Sequence, residues 1–244
     1  AGVELRNDLE GPLFDGADAA AASALAASHG IEILAIAEVP AFNDGSERAF
    51  DTLERLAQTA SAVGARGVAL IPRNDGQLRD ATARRAALSA ALERFAPVLE
   101  RHAVVGFVEP LGFEQSSLRS KREVVDLIEA LGLSEHYQLV HDTFHHHLAG
   151  ERELFPAHTG MVHVSGVVDP SLTPATMTDA DRVLVDGDDQ LGNLDQLRAL
   201  HGGGYQGPVS IEAFAPSVHA LDAPAAALAQ TFHYMRSDLS ATAA

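Results

Sequence analysis

Four short apolar runs decide the reading of this chain: VGFVEP (105–110), YQLVHD (137–142), MVHVS (161–165) and VSIEA (209–213). Each has the length and the β-branched or aromatic content of a buried strand. Each also ends at or beside a residue able to bind a divalent metal, namely Glu109, Asp142, His163 and Glu212. Ligands placed at random would fall on helices and loops as well, whereas a parallel β/α barrel gathers its chemistry at the carboxyl ends of its strands. Carboxylates with an imidazole form a mixed oxygen and nitrogen shell. Such a shell suits one zinc, manganese or magnesium ion and leaves positions for a substrate.

On either side of these runs, strands and helices alternate along the whole chain. AGVELRND reads as a strand already under way at the first residue. An alanine-rich helix follows, capped by Asp15 or Asp18 and ended by Gly30. After the strand IEILAIAEV, a helix from Ser46 to Gly64 carries Phe50, Leu53, Leu56, Ala60 and Val63 on one face. GVALIP is a buried strand, and the helix after it, from about residue 79 to 101, has Leu88, Leu92, Phe95 and Leu99 as its stripe and Pro97 as a kink.

Between the ligand-bearing runs, Ser120 and Glu123 are spaced as a capping box for a helix burying Val124, Leu127, Ile128 and Leu131. A short helical stretch is expected around 147–154, then a long polar segment, 168–192, with Arg182 in its middle. An amphipathic helix from about 223 to 239 closes the chain. This alternation is the pattern of a parallel sheet with crossover helices. Seven strands are counted where a closed barrel has eight. The expected fold is therefore α/β, a TIM-type (β/α)8 barrel whose first strand and helix are missing from this sequence, forming one domain over residues 1–244.

Composition narrows the function. The 244 residues, 46% hydrophobic, suffice for one large core. With 34 acidic against 17 basic residues the formal charge is −17, which repels phosphate backbones and anionic membranes, so no nucleic-acid partner is expected. There are no cysteines, which excludes disulfides and thiolate metal sites. No apolar run approaches the ~18 residues of a membrane span and no basic-then-apolar leader opens the chain. A cytoplasmic protein without membrane attachment is expected.

The residues resemble a known family, the xylose-isomerase-like sugar isomerases and epimerases. The likeness rests on E-P at Glu109, H-D-T-F-H-H-H from His141, V-H-V around His163, T-D-A-D-R-V from Thr178 and S-I-E-A-F from Ser210, and is nearest to the inosose (2-keto-myo-inositol) isomerase branch. VELRN near the start is similar to that branch's second strand. The resemblance implies that Glu109, Asp142, His163 and Glu212 hold a single catalytic metal, that His145 contacts substrate and that Arg182 binds a substrate oxygen. Two departures stand on loops that would touch substrate. Ser165 and Gly166 follow His163 where the family often has an acid, and VDGDDQLG replaces a P-G-x-G turn.

These residues together predict a metal-dependent isomerase or epimerase of a keto-sugar or inosose, placed in carbohydrate metabolism and, by the branch resembled, in inositol catabolism. Proton transfer would run through an enediolate held by the metal, with Glu109 and Glu212 as the acid and base. The partner is a small polyol or keto-sugar, and self-association is left open. Other readings carry different signatures. His146 and His147 read as an exposed run at a helix start, Arg182 can pair with Asp179 or Asp181, and Glu4, Arg6 and Asn43 can be ordinary surface or core partners. A non-catalytic sugar sensor would bind without proton exchange. A barrel-type DNA-repair endonuclease would need a basic face.

Overall fold

The computed structural model describes residues 1–241. Seven strands lie in one parallel sheet in sequence order: β1 (Gly2–Arg6), β2 (Glu32–Val39), β3 (Gly67–Leu70), β4 (Val105–Val108), β5 (Tyr137–Asp142), β6 (Thr159–Val164) and β7 (Val209–Ile211). Helices α1 (Ala19–Ser28), α2 (Glu47–Val63), α3 (Ala81–His102), α4 (Lys121–Ala130), α5 (Thr143–Ala149), α6 (Asn193–Gly202), α7 (Pro216–His219) and α8 (Pro224–Ala241) follow the strands. Contacts divide the chain into two compact units, Ala1–Val140 and His141–Ala244.

In the first unit the cores of β2 and β3 are buried on both faces, as strands flanked by crossover helices must be. α2 begins where the Ser46 hydroxyl accepts from the Ala49 N–H (3.1 Å) and ends where Gly64 turns left-handed at φ 74°. It buries Ala49, Leu53, Leu56, Ala57, Ala60 and Val63, while Phe50 is half-buried against Phe95. α3 buries Leu88, Leu92, Phe95 and Leu99 as its sequence spacing requires. Pro97 lies on the exposed side, so water can reach the Glu93 carbonyl that proline leaves without its helical partner. The caps of α1 and α3 are Asp18 and Asp80.

Gly67 fixes how closely β3 and β4 run. They pair in register from Gly67 with Val105 to Leu70 with Val108, and a Cβ on Gly67 would stand 2.2 Å from the Val105 carbonyl oxygen. The next backbone bond beyond the register, Glu109 N–H to Leu70 O at 3.2 Å, sets Glu109 at the carboxyl end of β4. Loops at that end are tied together by Asn43. Its Oδ1 accepts from Arg73 N (2.9 Å) and its Nδ2 donates to Ser117 Oγ (3.0 Å). Asn43 is therefore a buried loop brace, and Arg6 pairs with Asp8 at 2.7 Å, both the ordinary readings.

In the second unit β6 pairs with β7, His163 opposite Ser210 and Val164 opposite Ile211. Val162 and Val164 pack with Leu197, Leu200, Tyr205 and Met235 on the helix side. Successive strand residues face opposite ways, so His163 points to the other side of the sheet. Two expectations are corrected here. The helix expected around 147–154 is α5, beginning at Thr143 and ending at Gly150, because the Asp142 carboxylate caps it directly as the strand stops. His146 is buried and its ring lies 4.8 Å from that of His141, so it is no part of an exposed histidine run. Among the described residues no helix is long and apolar enough to cross a membrane.

Candidate metal centre

Each of the four strand-end residues offers one ligand atom, and the atoms of Glu109, Asp142, His163 and Glu212 all lie within 4.8 Å of one another. The first three are nearly fully buried, with Glu109 and Asp142 at 3% exposure and His163 at 1%. Backbone register explains the placement of Glu212, whose N–H continues the β6–β7 ladder by donating to Val164 O at 2.9 Å. Its Oε2 stands 3.3 Å from His163 Nδ1.

Asp142 serves two structural purposes at once. Oδ1 accepts from the His145 N–H at 2.8 Å, capping α5, and Oδ2 accepts from Arg182 Nη2 at 2.5 Å. The first-turn N–H of α5 needs an acceptor, so the cap orients Asp142 at the end of β5. Arg182 is itself only 1% exposed and donates from the same Nη2 to Glu212 Oε2 (2.9 Å). Its Nε donates to Ser165 Oγ (3.0 Å) and its Nη1 to Asp179 Oδ1 (3.2 Å). The pairing with Asp179 foreseen from sequence is thus present, together with direct bonds to two of the four metal candidates. Asp181 instead caps the turn at Thr178. The Phe144 and Phe214 rings each lie 4.9 Å from the guanidinium carbon, a packing that suits arginine's flat, weakly hydrated cation.

His145 is 4% exposed and meets the Phe144 ring edge-on at 5.2 Å between centroids. Burial holds its imidazole below the ordinary histidine pKa, opposed by the Asp142 carboxylate. A neutral imidazole offers one donor and one acceptor.

This donor set fits a divalent cation. Ligands on opposite sides of an ion at about 2.1 Å stand about 4.2 Å apart, so the group is close to the size of a coordination shell. Two buried carboxylates less than 5 Å apart repel by about 3–4 kcal/mol at an effective dielectric near 20. One guanidinium cannot balance three carboxylates, and a divalent ion held by them would supply the missing charge. Three of the groups that hold Arg182, namely Phe144, Phe214 and Ser165, were not singled out from the sequence as its partners. Phe144 and Phe214 each stand two positions after a metal candidate, a spacing that could have flagged them, and Ser165 showed only as a departure from the family pattern.

Comparison with known proteins bears on this geometry. The model of a family described as the xylose isomerase-like TIM barrel matches residues 1–237. A xylose isomerase domain containing protein from Salmonella typhimurium LT2 is 32% identical with a TM-score of 0.85, the alignment covering 98% of this chain and 87% of that one. The IOLI protein, solved with a zinc atom bound, is 20% identical at a TM-score of 0.84, again over 98% and 87%. The 3-keto-D-glucoside 4-epimerase of E. coli is 18% identical at 0.62, over 90% and 87%. The two less identical structures share the fold. No curated protein matches the chain.

Proposed function

Because the chain belongs to the xylose isomerase-like TIM barrel family, we propose that it is a divalent-metal-dependent isomerase or epimerase of a keto-sugar or inosose. The observation that carries this reading is the buried group of Glu109, Asp142, His163 and Glu212 with Arg182 set against two of its carboxylates. The zinc bound by the IOLI protein and the sugar chemistry named for the E. coli epimerase support it. The match from residue 1 to 237 supports treating the chain as one catalytic domain.

A bound divalent ion would polarise a substrate carbonyl and make the neighbouring C–H more acidic. In this reading Glu109 and Glu212 move the proton. One takes it from the carbon beside the carbonyl, and one returns a proton to the other carbon or to the opposite face, giving isomer or epimer respectively. Arg182 stabilises the negative charge that develops on the substrate oxygen, since its guanidinium is fixed beforehand by Ser165, Asp179 and the two phenylalanine rings. His145, kept neutral by burial, hydrogen-bonds a substrate hydroxyl. The substrate is a small polyol ketone, and the departures at Ser165, Gly166 and residues 185–192 bear on which one.

The test is solvent exchange. Inososes and free ketohexoses incubated in D2O with the protein and manganese, zinc or magnesium should gain deuterium beside the carbonyl, followed by NMR. Stoichiometric sugar binding with no exchange for any pairing would replace the enzyme with a sugar sensor.

A further inference from the structure

Behind the metal candidates, one buried side-chain amide joins the segments that carry two of them. Asn193, the first residue of α6, is 0% exposed. Its Oδ1 accepts from Thr143 Oγ1 at 2.6 Å, and its Nδ2 donates to the Ser165 carbonyl at 2.7 Å. Thr143 follows Asp142 directly, and Ser165 stands two residues after His163. The hydroxyl oxygen of the same Ser165 accepts from Arg182 Nε, and Arg182 in turn holds Asp142 and Glu212. Asn193 is anchored through its own backbone, its N–H donating to Asp189 Oδ2 at 3.1 Å. Beside it Gln196, one turn along α6, donates to Thr143 O (3.2 Å) and Leu191 O (2.9 Å) and meets His141 Nε2 at 2.9 Å.

We propose that Asn193 is a positioning residue for the metal centre, an amide clamp that fixes the spacing between the carboxyl ends of β5 and β6 and so between Asp142 and His163. The role needs one planar group with an acceptor and a donor in fixed relation, which asparagine alone among side chains of this length provides. Aspartate would lose the donor to Ser165 O and bury a charge, and leucine would leave both the Thr143 hydroxyl and the Ser165 carbonyl unsatisfied. Neither Asn193 nor Thr143 touches the ion or the substrate in this account. The clamp acts through the position of its neighbours, the kind of outer contact whose loss lowers metal affinity about 10- to 100-fold.

The inference rests on the metal-centre reading above, and the experiment separates the two. Zn2+ and Co2+ affinities are measured by competition with a chromophoric chelator on the full chain, alongside the Co2+ absorption spectrum and the metal-free melting temperature. The unmodified protein should bind one ion and Asp142→Asn should not. Asn193→Ala should raise the Kd tenfold or more and alter the Co2+ spectrum. Thr143→Val, which keeps the shape and removes the hydroxyl, should do the same more mildly, and Thr143→Ser should restore the unmodified Kd. Tyr137→Phe, which removes a buried bond to Leu92 O far along β5, controls for instability, since it should lower the melting temperature and leave the Kd unchanged.

No ion bound by the unmodified protein overturns the metal centre and this inference with it. An ion bound with unchanged affinity and spectrum in folded Asn193→Ala, or in folded Thr143→Val should Asn193→Ala not fold, overturns the clamp alone. A Kd that follows melting temperature across all variants, Tyr137→Phe included, also overturns it.

Discussion

At the scale of single residues, the gathering of Glu109, Asp142, His163 and Glu212 was legible in the sequence only jointly: one polar residue at a strand end is more often solvated or ion-paired, whereas four of ligand type, each closing a β-rich run, point to one place. Asp142 shows the limit of that legibility. As a strand end it was readable, but its capping of α5 was hidden, because a carboxylate before T-F-H-H-H is an ordinary N-cap only once the strand is known to stop there. Ser165, Thr143 and Asn193 were not readable, since their partners lie 17 to 50 residues away and all three contacts run through a hydroxyl or a backbone carbonyl, which residue type does not pair with a partner. The prediction at this scale concerns the proton. Glu109→Gln or Glu212→Gln keeps an oxygen at the position and loses the ability to accept a proton at neutral pH. At saturating metal, with occupancy measured on the same samples, deuterium exchange should fall by about 10²- to 10⁴-fold in each. Unaltered exchange in both would move the base to His145.

At the scale of elements, periodicity located the helices well because burial follows it. The stripe of α3 and the buried face of α4 at Val124, Leu127 and Ile128 are the ones their spacing demands. The failure around α5 has a physical cause: with seven residues, it is too short to show a period, and its burial owes more to neighbouring segments than to its own pattern. Strand packing was less legible than strand position. Nothing in GVAL marks Gly67 as indispensable, yet any Cβ there meets backbone, which cannot rotate away as a side chain can. Gly67→Ala must separate β3 from β4 or bend one of them, at a cost of about 3 kcal/mol. The melting temperature should drop by about 6 °C or more, at 2–4 °C per kcal/mol for a chain of this size. A drop under about 2 °C would mean that the β3 and β4 backbones yield more easily than their register suggests. Because Glu109 N–H bonds Leu70 O at the end of this strand pair, the same variant should also weaken metal binding.

At the scale of the whole molecule, charge and metal are linked. A formal −17 disfavours compaction through self-repulsion, and Glu109, Asp142 and Glu212 bring three of the acidic groups together at one place, the first two buried and Glu212 half-buried. A ligand that binds the folded chain and not the unfolded one stabilises it by RT ln(1 + [L]/Kd), about 2.7 kcal/mol at a hundredfold excess over Kd. For a chain of this length that is a rise of about 5–11 °C in melting temperature. Calorimetry or a dye-reported melt with zinc or manganese at that excess should show the rise in the unmodified protein and lose it in Asp142→Asn or His163→Ala. Simple screening makes a different prediction. Sodium chloride at the same ionic strength should raise the melting temperature equally in the unmodified protein and in the ligand variants, because it acts on the surface field and not on the buried group. A divalent effect no larger than that of sodium chloride, or one of full size in Asp142→Asn, would show that the ion acts on the general acidity of the chain and that the four residues do not form its site.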